Sequence, residues 1–216
     1  MKDVNLTKLI ITVFLISWVG VTPSLLLAYD INIPSYIKSL EILMTLGPIL
    51  GAVIFIYKSS GRSGQVEFFK RILWYKASIK VILFIFLLPI AVSFLSSIIG
   101  LQLSNSPWPE NYSSSTIISN GIIIFLMYLL LNREELVWRG LVFDRFLKSN
   151  GFVKSCLKII PIWWLFHIPL FLYPDGHQAG SGILEFTCIV VAQTFILGWI
   201  YLKTSRSLFM SIFTTN

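Results

Sequence analysis

The sequence predicts an all-α protein, a polytopic bundle of transmembrane helices with about six full spans and a short C-terminal helix. Of the 216 residues, 56% are hydrophobic and only 12% are charged, which is about half the charged fraction of a typical soluble domain. The apolar residues also fall into long runs, and a run of about 18 residues is typical of a spanning helix. The third observation is that nearly all basic residues fall on one side of the membrane when the chain crosses it at each run.

Six apolar runs define the expected spans, and they are Leu9–Leu27, Leu40–Tyr57, Val81–Leu101, Ile117–Leu131, Ile159–Tyr173 and Ile183–Leu202. The first run contains Pro23 and lacks a small-x-small cleavage site, so we expect a retained helix rather than a signal peptide. A seventh run begins at Ser207 and would cover about 15 Å of a hydrocarbon core about 30 Å thick. We expect either a short, non-spanning last helix or a sequence that is incomplete at its C-terminus.

The net charge of +7 reports membrane topology. If the N-terminus lies inside and the chain crosses at each run, every one of the 17 basic residues except Lys38 falls on the inner side. This asymmetry follows the positive-inside rule. It predicts a multi-pass protein of the cell membrane with a cytoplasmic N-terminus. The lipid bilayer is then the expected partner, and a nucleic-acid partner is not, because nucleic-acid binding needs basic residues clustered on one soluble face.

The chain is expected to divide into residues 1–115, the N-terminal spans with a basic connection, and residues 116–216, which carry the chemistry. The connection Lys58–Lys80 opens with a flexible Ser- and Gly-rich stretch. It continues as Val66–Tyr75, where aromatic and basic residues recur at helical spacing. This pattern predicts an amphipathic helix lying on the anionic inner leaflet.

Ionisable residues inside a membrane are costly, about 2.5–3.5 kcal/mol each on insertion scales, so each is a candidate functional residue. The first such group is Glu134, Glu135 and Arg139. Glu135 and Arg139 are four residues apart with the acid first, which favours an intrahelical ion pair. Glu134 points about 100° away and is expected to lack that partner, which suits a general acid or base. The alternative is a charge cluster that only ends and anchors the span.

The second candidate is His167, which follows Lys158 by nine residues, about 14 Å of helical rise into the membrane. No other polar residue surrounds it within its run. His167 could therefore belong to a catalytic site or simply hydrogen-bond a neighbouring helix. His177 falls in an outer loop and is expected to be solvated.

These residues resemble a known family. Glu134-Glu135-x-x-x-Arg139-Gly140, followed by an aromatic-x-x-x-His motif that ends at His167, is similar to the CPBP family, also called Abi, of CAAX prenyl proteases and bacteriocin-processing membrane endopeptidases. Thr204-x-x-Ser207-Leu208 further along the chain fits the same family. The resemblance covers about Tyr128 to the end of the chain, and Trp163 stands where the family usually has Phe.

The resemblance implies a hydrolysis of a peptide bond in a membrane-associated peptide or protein near the cytosolic boundary. Glu134 would activate the water, Glu135 and Arg139 would hold the site in shape, and His167 would position the water or stabilise the oxyanion. One His and two Glu could contact zinc, but zinc normally takes three protein ligands. We therefore expect no cofactor, with zinc as the alternative.

One departure from the family concerns its third motif, a His with an Asn four residues later on the last helix. In register with Ser207-Leu208, Thr215 or Thr214 stands where that His belongs. This motivates an alternative hypothesis, a catalytically silent relative that acts as a bacteriocin immunity or binding factor. A transporter or structural membrane protein is a third hypothesis, against which the sequence shows no inverted repeat.

Overall fold

The computed structural model describes residues 5–73, 76–104, 134–174, 178, 180 and 182–214. Within these residues every regular element is a helix, which confirms the all-α fold class. The helices are α1 (Leu6–Ala28), a 3₁₀ helix (Ser35–Glu41), α2 (Ile42–Leu73), α3 (Ile79–Ser104), α4 (Glu135–Val137), a π-helical segment (Trp138–Phe143), α5 (Asp144–Phe166), α6 (Ile168–Phe171), α7 (Ile183–Lys203) and α8 (Leu208–Thr214). The expected span Ile117–Leu131, His177 and Thr215 lie outside the described residues.

Four helical stretches of the described chain are long and apolar enough to cross a membrane, and they are Leu6–Ala28, Ser35–Ile72, Ile79–Leu103 and Ile183–Lys203. They correspond to four of the expected spans and support a multi-pass membrane protein. The expected span Ile159–Tyr173 is instead divided between α5 and α6. The break follows from Pro169, which has no amide hydrogen to donate to the carbonyl of Leu165. It leaves His167 at the junction of the two helices.

The connection Lys58–Lys80 differs from the prediction in its first part. The Ser- and Gly-rich stretch is helical within α2, and the change of direction is confined to Gly61, which has a φ of 63°, a value that favours glycine. After Gly61 the chain folds alongside the first half of α2, since the Gln65 Nε2 donates to the carbonyl of Val53 at 3.1 Å.

The second half of α2 is amphipathic, as the sequence predicts. Phe68 is fully buried in the core, whereas Val66 and Phe69 on the other face are exposed. One face of this segment therefore packs on the protein, and the other, which also carries Arg62 and Lys70, remains exposed.

One apolar cluster joins the N-terminal helices to the C-terminal part of the chain. It contains Leu9 of α1, Ile56 and Phe68 of α2, and Trp138 of the π-helical segment. Such a cluster fixes α1 and α2 against the elements that carry the candidate site.

The contact between α1 and α2 depends on small residues. A Cβ atom built on Gly20 would lie 2.6 Å from the backbone nitrogen of Met44 and 2.9 Å from the backbone oxygen of Leu40. Close approach of backbones through small residues is the usual way that membrane helices associate.

We predict that Gly20→Ala destabilises the protein by roughly 1–3 kcal/mol, because the added methyl group overlaps backbone atoms that cannot move aside. The matched control is Gly100→Ala in α3, where a Cβ atom meets nothing within 4 Å. Thermal unfolding in detergent compares the two variants. Equal melting temperatures would contradict the proposed contact.

Candidate active site

Glu134 lies at the start of α4, where two indole groups hold its carboxylate. The Nε1 of Trp138 is 3.2 Å from Oε2 of Glu134, and the Nε1 of Trp163 is 3.3 Å from the same oxygen. Both groups can only donate hydrogen bonds. Glu134 lacks the arginine partner, as expected, but it has two hydrogen-bond donors, because Trp138 follows by four residues on the same helical face and Trp163 approaches from α5.

His167 faces the same carboxylate. Its Nε2 lies 3.8 Å from Oε2 of Glu134, which is too long for a direct hydrogen bond. Its Nδ1 lies 2.8 Å from the carbonyl oxygen of Trp163, and because a carbonyl only accepts, Nδ1 must carry the hydrogen. When the ring is neutral, Nε2 is therefore an acceptor. The Glu134 carboxylate and the His167 ring, from different helices, thus converge on one point.

Aromatic side chains surround this point. The His167 ring lies 5.8 Å from Trp163, 5.3 Å from Phe166 and 5.5 Å from Phe186, measured between ring centroids. The Nε1 of Trp18 donates to the carbonyl of Phe166 at 3.1 Å. The backbone just before His167 is therefore held by α1.

Glu135 and Arg139 form the ion pair that their spacing predicts. The Nη1 of Arg139 is 2.9 Å from Oε1 of Glu135, and both side chains are almost completely buried. The guanidinium carbon of Arg139 also lies 4.6 Å from the centroid of the Trp163 ring, a cation–π distance. Trp163 therefore contacts both Glu134 and Arg139, and it couples the Glu-Glu-Arg motif to the helix that ends at His167.

The residues after the ion pair are π-helical. Trp138–Phe143 are all buried, and such wide turns are frequent at functional sites. Gly140 in this segment allows two other helices to approach, since a Cβ atom there would lie 3.1 Å from the Phe68 ring and 3.0 Å from Leu208. The glycine of the motif is thus explained by close packing of α2 and α8.

All four residues predicted for the site, Glu134, Glu135, Arg139 and His167, come together. The sequence analysis missed the indole donors. A signal was present, because Trp138 follows Glu134 by four residues and Trp163 precedes His167 by four, which places each pair on one helical face. Tyr201 and Asp144 were also missed, and they form a separate buried hydrogen bond at 3.1 Å.

The described residues provide a poor donor set for zinc. They contain no group of three or more His, Cys, Asp or Glu side chains placed to hold a metal ion. Glu134 and His167 would supply two ligands, and Glu135 is engaged by Arg139. Zinc sites normally use at least three protein ligands, so the residues described do not fit this metal.

Comparison with known proteins agrees with the motif resemblance. The model of the type II CAAX prenyl endopeptidase Rce1-like family matches residues 114–214. CAAX prenyl protease 2 of Methanococcus maripaludis is 27% identical over 176 residues, which cover 77% of this chain. The match spans 65% of the length of that relative. Both findings confirm the resemblance to the CPBP proteases.

We predict that Arg139→Met lowers the free energy of unfolding by about 3–5 kcal/mol, because it leaves Glu135 buried without a counter-charge. Lys148→Met is the control. Lys148 pairs with Asp144 four residues away at 3.6 Å and its side chain is 58% exposed, so its loss should cost about 0–1 kcal/mol.

Thermal unfolding of both variants in the same detergent measures the difference. The double variant Glu135→Gln/Arg139→Met should recover part of the loss, since neither charge then remains buried alone. Similar melting temperatures for Arg139→Met and Lys148→Met would contradict a structural role of the buried pair.

Proposed function

We propose that this chain, whose residues 114–214 match the Rce1-like family, is an intramembrane endopeptidase. It would hydrolyse a peptide bond in a membrane-associated peptide or protein, near the cytosolic boundary of a cell membrane in which its N-terminus is cytoplasmic. The observation that carries the proposal is the approach of Glu134 and His167 to 3.8 Å within the two motifs of a protease family. The proposal identifies the substrate only by its class, a peptide or protein associated with the membrane.

In this proposal Glu134 is the general base. A water molecule beside the pair donates one hydrogen to the carboxylate of Glu134 and the other to the Nε2 lone pair of His167. As the water oxygen attacks the scissile carbonyl, its proton passes to Glu134, which later delivers it to the leaving amine. The proton on Nδ1, held by the carbonyl of Trp163, makes Nε2 an acceptor. This favours water positioning over oxyanion stabilisation as the role of His167.

The indole groups have a positioning role. Trp138 and Trp163 both donate to Oε2, which fixes the orientation of the carboxylate and leaves Oε1 for the water. Hydrogen bonds to a charged group are worth about 1.5–3 kcal/mol each. Glu135 and Arg139 act through Trp163, since the guanidinium packs on its ring.

We predict that Glu134→Gln lowers the rate of cleavage by at least about 100-fold, because an amide cannot accept the proton of the water. The control is Glu185→Gln on the exposed first turn of α7. The purified protein is reconstituted with host membrane proteins in proteoliposomes, and new peptide termini are counted by mass spectrometry. Undiminished cleavage by Glu134→Gln would exclude Glu134 as the base.

We predict that Trp163→Phe lowers kcat by about tenfold with KM unchanged, the loss expected for one hydrogen bond to a charged group. The phenyl ring retains the surface on which Arg139 packs. Trp164→Phe is the matched control, since the neighbouring indole donates to Thr187 at 3.0 Å and not to Glu134. Equal kcat values for the two variants, at equal melting temperatures, would remove the positioning role.

A second candidate function is a catalytically silent immunity or binding factor that protects its host from a bacteriocin. It is favoured by Thr214 and Thr215, which stand where the family's third motif has a His. Protection that survives both Glu134→Gln and His167→Ala would support this candidate. Loss of protection in both variants would support the endopeptidase.

A further inference from the structure

A second polar cavity lies away from Glu134 and His167. It is a cleft of about 300 Å³ between the N-terminal end of α1, the second half of α2, the start of α5 and the turn before α8. The wall nearest the candidate active site is formed by Gly140 and Leu141. All the ends that meet here lie on the side that the positive-inside rule predicts to be cytoplasmic.

The cleft carries an excess of positive charge. Four basic side chains line it against two acidic ones; the basic ones are Arg71, Arg145, Lys148 and Arg206, and the acidic ones are Glu67 and Asp144. Asp144 is already engaged. Its Oδ1 accepts from Arg206 at 3.0 Å and from the Tyr201 hydroxyl at 3.1 Å, and its Oδ2 lies 3.6 Å from Lys148.

Arg71 is held in the cleft by neutral groups. Its Nη2 donates to the Tyr201 hydroxyl, and its Nη1 lies 3.4 Å from the carbonyl oxygen of Gly140. Among the ion pairs of the described residues, none joins Arg71 to a carboxylate. The side chain is only partly exposed. A positive charge is thus fixed in direction without a direct ion pair to a carboxylate of the described residues.

We propose that this cleft binds the phosphate group of an anionic phospholipid of the adjoining leaflet. An arginine fork matches the geometry of phosphate oxygens, and basic pockets between transmembrane helices on the cytoplasmic side bind such headgroups. The apolar side chains of Leu6, Leu9 and Leu141 line the same cleft and suit the acyl chains of a lipid. They favour a lipid over free phosphate. The proposal does not depend on peptidase activity.

The test is retention of lipid by the full chain. Protein reconstituted in phosphatidylcholine vesicles that contain a minor share of phosphatidylglycerol is extracted in mild detergent, and bound lipid is counted by native mass spectrometry. The unaltered protein should retain one phosphatidylglycerol in preference to phosphatidylcholine. Arg71→Gln and Lys148→Gln should each lower this retention about tenfold, the loss carried by one charge-assisted hydrogen bond.

Lys70→Gln is the matched control. Lys70 is the neighbour of Arg71 on α2, lies on the exposed face and does not line the cleft. Retention equal to that of the unaltered protein would show that the cleft, and not general attraction to an anionic surface, holds the lipid. Lys148 is largely exposed, so its variant tests the site even if Arg71→Gln fails to fold.

Addition of inorganic phosphate distinguishes a phospholipid headgroup from free phosphate as the ligand of the cleft. Retention of phosphatidylglycerol in millimolar phosphate, with no rise in melting temperature from phosphate alone, would support a lipid site. Stabilisation by phosphate without preferential retention of phosphatidylglycerol would overturn the lipid assignment. Equal losses in Lys70→Gln and Arg71→Gln would overturn the site itself.

Discussion

The candidate site depends on keeping charged groups in an apolar interior, where each must find partners. Glu135 meets this requirement with Arg139 at 2.9 Å. Glu134 meets it differently, with two indole donors on one oxygen. The Glu135–Arg139 pair and the Glu134 carboxylate are connected, because Trp163 donates to Glu134 and lies under the guanidinium of Arg139. Glu135 is thus held by a counter-charge, whereas Glu134 is held by neutral hydrogen-bond donors.

The position of His167 follows from the same constraint. Pro169 interrupts the helix, and the ring of His167 stands at the junction with its Nδ1 hydrogen directed to the carbonyl of Trp163. One residue, Trp163, thus orients Glu134 through its side chain and His167 through its backbone. A phenylalanine at this position would retain the backbone contact and lose the side-chain donor.

Much of the fold and the four motif residues could be predicted from the sequence. Apolar run length identifies spans such as α1, because the bilayer leaves few alternatives to a helix. The Glu135–Arg139 pair follows from helical spacing. The partners of Glu134 could not be predicted, because Trp163 reaches it through tertiary packing across 29 residues. The turn at Gly61 was predicted only in part, since the Ser- and Gly-rich sequence indicates a flexible stretch, whereas the chain stays helical there and changes direction at a single left-handed residue.

The segment from Arg139 to Asp144 connects the two polar regions of the molecule. At one end Arg139 closes the buried ion pair beside Glu134. At the other end Asp144 binds Arg206 and Tyr201, and between them the carbonyl of Gly140 faces Arg71. Because Gly140 has no side chain, Phe68 and Leu208 pack directly on this segment. The helices that surround the cleft therefore also fix the backbone from which Arg139 reaches Trp163, and the apolar packing of α2 and α8 helps to set the geometry of the carboxylate.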